Sequence, residues 1–276
     1  MERKVLVNSN TYHGYTIDEA IEGISAAGFK YIELTATKGW TEHVFVDKTF
    51  KELQRIKDKL KKYDLVPLAM SGHTSLMDKN RREDFVNNIH LANFYGCKYI
   101  VTSVGEAHLD DKELSSDDLI VENLKSFVEY LNEYDMHLVV EVHGADHGSG
   151  VILKDIVNKV DSDRVSVAYD TANAVFYGDV DVNEDLEASI DVVDYIHIKD
   201  KAGKKDEWNF PALGEGYLDF KTMLSVLDKN DNNAPLSIEI EFTEKGPKDL
   251  EEVNKAVLDS KKHLEKLNVR IGWFNA

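Results

Sequence analysis

Eight short apolar runs recur along the chain with longer amphipathic stretches between them, and this alternation limits the fold more than any other feature. The runs are KVLVNS, KYIELT, LVPLAMS, KYIVTSV, HLVVEVH, RVSVAYD, VDYIHIK and PLSIEIEF. Their spacing, roughly thirty to forty residues, is that of a strand followed by a crossover helix. The intervening segments carry helix ends that can be read directly: Thr16 and Glu19 have capping-box spacing ahead of AIEGISAAG, and Gly28 suits the C-terminal cap. In DLEEVNKAVLDSKKHLEKL, residues Leu250, Val253, Val257, Leu264 and Leu267 form one apolar stripe among Lys and Glu, the pattern of an outer helix packed on a sheet.

A β-α order repeated eight times with right-handed crossovers closes into a parallel barrel, so the fold class is read as α/β, a single (β/α)8 TIM barrel. The 276 residues suffice, since such a barrel takes roughly 250. An open doubly wound sheet is the structural rival, weakened because no GxGxxG follows the first strand. No Gly/Ser-rich or Pro-rich linker breaks the chain, which predicts one domain over residues 1–276 with a short tail at 268–276.

Charge and composition narrow the partners. Lys and Arg number 33 against 51 Asp and Glu, a net charge of -18 that repels phosphate backbones and argues against nucleic acid. The one cysteine, Cys97 in YGCKYI, precludes an intrachain disulfide and reads as a core thiol. MERKVLVNSN leads straight into a strand pattern, and no apolar stretch approaches twenty residues, so no membrane partner and a cytoplasmic location are expected. Trp273 and Phe274 in the terminal RIGWFNA could cap the barrel or meet a second subunit, leaving a homo-oligomer open.

In a parallel barrel one face of each strand packs on helices and the other points inward. Val140 and Val142 flank Glu141, Ile196 and Ile198 flank His197, and Ile238 and Ile240 flank Glu239, while Val165, Val167 and Tyr169 alternate with Ser166, Ala168 and Asp170. The polar residues are therefore the inward ones, and they come late in their strands, near the C-terminal mouth where barrel enzymes place their chemistry. Any one of them alone is adequately explained as a polar strand end bonded to loop amides. Together they are costly to bury unless a cation is shared, and Glu141, Asp170, His197 and Glu239 make a donor set suited to a divalent metal with open positions. Mn2+ is the expected ion, followed by Mg2+, Co2+ or Zn2+.

The segments VVEVHG, VAYDTANA, YIHIKD, ALGEGYLDF and PLSIEIEF resemble the sugar phosphate isomerase/epimerase superfamily with the xylose isomerase-like barrel. That superfamily also includes ketose 3-epimerases, inosose dehydratase and the endonuclease IV type of nuclease. The resemblance covers essentially the whole chain and is specific to the superfamily, not to one substrate. It implies that Glu141, Asp170, His197 and Glu239 bind the metal. It also implies that Glu141 and Glu239 are the catalytic pair, one removing a proton next to a carbonyl and the other returning one. Glu241 competes with Glu239, since both satisfy the period-two test, and Glu239 is preferred because the family's glutamate falls at the first acid of such a run.

The activity so implied is that of a divalent-metal-dependent sugar isomerase/epimerase working through a metal-stabilised enediolate, with a carboxylate as general base. Substrate-binding candidates are His73 and Glu106 at the ends of strands three and four, His143 and Asn173 beside the ligands, Lys199 and Trp208. Lys199 either holds an oxyanion or a phosphate or pairs with Glu215, and Trp208 with Phe210 either stacks on a sugar or anchors its loop. His108 and His147 read as ordinary loop histidines.

Four other functions compete, one of them a retaining glycosidase, which could use two barrel carboxylates but would leave Asp170 and His197 without their simplest role. A lyase, either inosose dehydratase-like or a 3-keto-glycoside eliminase, begins with the same proton abstraction. A nuclease is disfavoured because Asn173 stands where the endonuclease type has a histidine and HIKDKAGKKDEW lacks a second one. A non-catalytic sugar-binding barrel comes last, because both Glu141 and Glu239 are retained.

Overall fold

The computed structural model describes residues 3–76, 78–105 and 116–271. All eight runs are strands: β1 (Val5–Asn8), β2 (Tyr31–Thr37), β3 (Val66–Ser71), β4 (Tyr99–Thr102), β5 (His137–Glu141), β6 (Val165–Asp170), β7 (Val193–Ile198) and β8 (Leu236–Ile238). Each pairs in parallel with the next, and β8 pairs with β1, so the sheet closes into the expected (β/α)8 barrel.

Local sequence explains the helices that wrap it. Thr16 and Glu19 form the capping box of the helix Ile17–Ala26, and Gly28 follows its end at φ +83°, a left-handed conformation open to glycine at little cost. Thr49 and Glu52 make a second capping box for Phe50–Lys62. In the last helix, Leu250–Lys266, Val253, Val257 and Leu264 are buried and Leu250 and Leu267 pack half-buried beside them. Cys97 is buried as expected, and burial pushes its thiol up.

The barrel's two faces separate as the alternation requires. Val140, Val167, Ile196, Ile198 and Ile238 point outward into the large core shared with the helices. Leu6, Tyr31, Leu68, Ala69, Val101, Val139, Ala168 and Tyr195 form a separate apolar cluster that fills the lower barrel, with the register shift at Leu68 bringing it in beside Ala69. Burying each Leu or Val of this cluster contributes about 1.5–3 kcal/mol.

Two strands stop earlier than their runs suggest. β5 ends at Glu141, because His143 donates its backbone N–H to His147 in a turn through Gly144 at φ +82°. His143 is thus a loop residue at the mouth. β8 ends at Ile238, after which Phe242–Thr243 pairs antiparallel with Asn209–Phe210. Glu106, His108, Trp273 and Phe274 lie outside the described residues. Among the described residues no helix is long and apolar enough to cross a membrane.

Candidate active site

The ends of β5, β6 and β7 and the residue just past β8 converge at the C-terminal mouth. There Glu141, Asp170, His197 and Glu239, all buried, offer ligand atoms that lie within 4.8 Å of one another. His197 Nδ1 is 2.5 Å from Glu141 Oε1 and 3.9 Å from both Asp170 Oδ2 and Glu239 Oε2.

A residue absent from the sequence-level candidates holds that imidazole from below. Glu33, fully buried in the middle of β2, lies 3.0 Å from His197 Nε2 and accepts hydrogen bonds from Tyr195 Oη at 2.7 Å, Ser237 Oγ at 2.6 Å and Ser71 Oγ. Burial alone raises a carboxyl pKa, but His197 and the two serine hydroxyls outweigh it and hold Glu33 below its usual range. Burial likewise works against charge on His197, yet Glu33 and Glu141 override it and push the imidazole well up. Glu141 is lowered, burial being outweighed chiefly by His197. With Glu33 taking the Nε2 proton, Nδ1 is the nitrogen left to serve as a ligand, the arrangement by which a carboxylate orients a metal-binding histidine.

Asp170 has two different oxygens. Oδ1 caps the helix Thr171–Phe176, accepting the backbone N–H groups of Ala172 at 2.9 Å and Asn173 at 2.8 Å. Oδ2 is buried and has no hydrogen-bond partner. Burial, followed by the charges of Glu141 and Glu239, pushes this carboxyl up to about 8 despite the opposing pull of Lys199. A buried carboxylate oxygen with no hydrogen bond, facing two more carboxylates and an imidazole, is what a divalent cation would satisfy, and the oxygen-rich set fits a hard or borderline ion.

Glu239 is held by two asparagines from the start of the chain: Oε1 accepts Asn8 Nδ2 at 3.0 Å and Asn10 Nδ2 at 3.1 Å. Glu241 lies outside the four-residue cluster. It accepts a second bond from Asn10 at 3.1 Å and pairs closely with Lys199. Lys199 is itself buried, with Nζ 3.2 Å from Glu239 Oε2, 3.9 Å from Asp170 Oδ2 and 4.6 Å from the centre of the Phe210 ring. Burial disfavours its charge, but Glu239, Glu241 and Asp170 raise its pKa well above normal. The alternative pairing with Glu215 is therefore not formed: Lys199 sits inside the barrel among three carboxylates, not at the rim.

Glu141, Lys199, Glu239 and Glu241 face a small chamber also lined by His73, His143, Asn173 and Trp208. Five of the six substrate-binding candidates thus face one space, and the sixth, Glu106, is outside the described residues. His73 Nδ1 accepts the backbone N–H of Ser103 at 3.1 Å, which leaves Nε2 to carry the proton 3.7 Å from Glu141 Oε2. Phe210 is buried and anchors the loop, whereas Trp208, packed edge-on against Phe210 and Phe176, keeps a face on the chamber. Glu33 is missed in the sequence because it lies in mid-strand, away from the mouth, although Ile32 and Leu34 flank it as the valines flank Glu141. Asn8 and Asn10 give no sequence signal at all.

The sequence profile described as the xylose isomerase-like TIM barrel matches residues 21–267. The chain belongs to this family. Solved structures agree on the fold of this xylose isomerase-like barrel. It resembles D-psicose 3-epimerase crystallised in the presence of D-fructose (TM-score 0.78, 13% identity, covering 96% of this chain and 99% of that one). It also resembles the 3-keto-D-glucoside 4-epimerase YcjR of E. coli (TM-score 0.73, 15% identity, 96% and 99% covered) and the IOLI protein with a bound zinc atom (TM-score 0.73, 18% identity, 96% and 97% covered). No curated protein matches by sequence.

Proposed function

We propose that this xylose isomerase-like barrel is a divalent-metal-dependent sugar isomerase or epimerase that moves a proton at a carbon next to a carbonyl. The observation that carries the reading is the convergence of Glu141, Asp170, His197 and Glu239 within 4.8 Å at the mouth of the barrel, with Glu141 and Glu239 both lining the chamber. The sugar epimerases among its structural neighbours support the same class of chemistry.

Glu141, Asp170, His197 and Glu239 would hold the ion, with Mn2+ first in order and Mg2+, Co2+ or Zn2+ after it. When bound, the ion offsets the negative charge that grows on the substrate oxygens as the proton leaves. Glu141 and Glu239 act as base and acid, one removing the proton and the other delivering one. Glu33 keeps the His197 ring in place, and His73 Nε2–H steers Glu141. Lys199, fixed by Glu239 and Glu241, presents an ammonium to substrate oxygens. His143 and Asn173 bond hydroxyls, and Trp208 supplies a flat apolar surface for the ring.

The test is metal analysis of the purified protein beside Glu141→Gln and Glu239→Gln, followed by solvent deuterium exchange into a panel of keto-sugars with Mn2+ present. The reading expects one metal per chain in the wild type, with exchange falling by about 10²–10⁴-fold in each variant. A wild type that binds no metal after Mn2+ is supplied sinks it. Exchange accompanied by loss of a β-substituent reassigns the protein as a lyase.

A further inference from the structure

The chamber at the cluster is small, about 50 Å³, but it is not closed. Asn10, Trp40, Trp208 and Glu241 line both it and a neighbouring cleft of about 670 Å³ bounded by the loops after β1 and β8. A volume of that size is typical of a small-molecule site and greatly exceeds what water alone needs. The two spaces thus adjoin across shared side chains, the first meeting the carboxylates and the second with room for a further group.

The cleft's wall is built as a platform. The His13 ring stacks on Trp40, with centroids 4.3 Å apart and planes 19° apart. Hydrogen bonds tie that stack to the cluster: His13 Nδ1 meets Thr41 Oγ1 at 2.7 Å, Thr41 Oγ1 donates to Asn10 Oδ1 at 2.7 Å, and Asn10 Nδ2 donates to Glu239. Phe242 lines the same cleft at φ +58°, a left-handed backbone region that bulky residues rarely adopt, and is held there by its pairing with Phe210. Flat aromatic faces ringed by hydroxyl and amide groups match the apolar faces and polar edges of a sugar ring.

Charge decides against a phosphate at this end. The cleft is lined by Glu241 and Glu244 against Lys245, and burial lowers the His13 pKa and so favours its neutral form. The nearby helix Leu250–Lys266 has its first turn occupied by its own acid, since Asp249 Oδ1 accepts the Glu252 N–H at 2.9 Å. With Glu241 already paired with Lys199 and Glu244 offset by Lys245, a dianion would meet no excess of positive charge and no arginine among the described lining residues.

We propose that the substrate is an uncharged two-ring glycoside, its keto-sugar ring at the Glu141–Glu239 pair and its second ring in the cleft beside Trp40 and Phe242. This rests on the isomerase/epimerase reading for the reacting ring only; the cleft itself needs no metal.

Two measurements separate the claims. In the first, intrinsic tryptophan fluorescence follows titration with glucose, glucose 6-phosphate, cellobiose, maltose and trehalose. At least one disaccharide is expected to bind about tenfold or more tightly than either monosaccharide, with that advantage reduced about tenfold in Trp40→Ala and in Phe242→Ala. Equal affinities throughout, or glucose 6-phosphate binding tightest, overturns the proposal. In the second, deuterium exchange compares D-fructose with the 3-keto derivative of the best disaccharide, which is expected to give at least tenfold higher kcat/KM. Equal or faster exchange into D-fructose overturns the two-ring substrate and leaves the proton-transfer reading standing. Tight disaccharide binding with no exchange into any sugar supports the cleft and overturns the proton-transfer reading instead.

Discussion

The inside of this barrel holds two layers built on the same strands and opposite in character. In the lower layer Leu6, Tyr31, Leu68, Ala69, Val101, Val139, Ala168 and Tyr195 fill the space with apolar contacts. One step further along the strands the inward positions become Asn8, Glu33, Ser71, Glu141, Asp170 and His197. The boundary runs through Tyr195 and His197, two residues apart on β7 and both touching Glu33. The contrast shows what each layer is for. The plug excludes water from beneath the cluster and supplies stability. The upper layer spends stability on five buried or nearly buried carboxylates, Glu33, Glu141, Asp170, Glu239 and Glu241, against the two cations His197 and Lys199. Without a cation, burial and its acidic neighbours keep Asp170 partly protonated, with its carboxyl pushed up to about 8, and a divalent ion would let the set ionise together.

The largest expected effect breaks the lower layer. Leu6→Ala removes a fully buried side chain from the plug and should lower unfolding free energy by about 2–5 kcal/mol in urea titration. A loss below about 1 kcal/mol would mean that the plug does not carry stability in the way the comparison assigns.

Two buried histidines provide the next test, since His197 is held charged by carboxylates whereas His43 has burial without them. His43, 6% exposed with its Nε2 3.1 Å from the Tyr15 carbonyl, has its pKa brought down to about 4 mainly by burial, with His13 and Lys48 adding to it. The unfolded chain, with a histidine near 6.5, takes up the proton first as pH falls. Stability from this group is therefore present above about 6.5 and lost progressively towards 4, roughly 3 kcal/mol in all. Unfolding curves between pH 7 and pH 4 should show a smaller decline in His43→Gln than in wild type; parallel declines would remove His43 as the cause.

The smallest effect probes the boundary itself. Glu33→Gln keeps the shape but removes the charge that holds His197 Nε2–H, and it should weaken Mn2+ binding about 10–100-fold by calorimetric titration. Nitrogen NMR of the metal-free protein should show the doubly protonated imidazole of the wild type giving way to a neutral ring. Unchanged affinity would make Glu33 a stability residue only and move the functional boundary up to His197.

Much of this was legible in the chain because it depends on local periods. Strand spacing and the switch between periods of two and 3.6 identify eight strands and their helices, and the valines around Glu141 or isoleucines around His197 say which side chains face inward. The choice of Glu239 over Glu241 rested on resemblance, and the two residues do differ in place: Glu239 lies in the cluster, Glu241 against Lys199 and Asn10. Lys199 was harder, since its alternatives depended on whether it sat inside or at the rim.

What the sequence determined by itself, then, is the order of elements and the direction of each side chain, both set by backbone geometry within a few residues. Only the closed barrel decided who meets whom. Tyr195 and Ser237 reach Glu33 across 162 and 204 residues of chain, and Asn10 reaches Glu239 across 229. Such contacts follow from sheet closure and strand stagger, which no local pattern encodes.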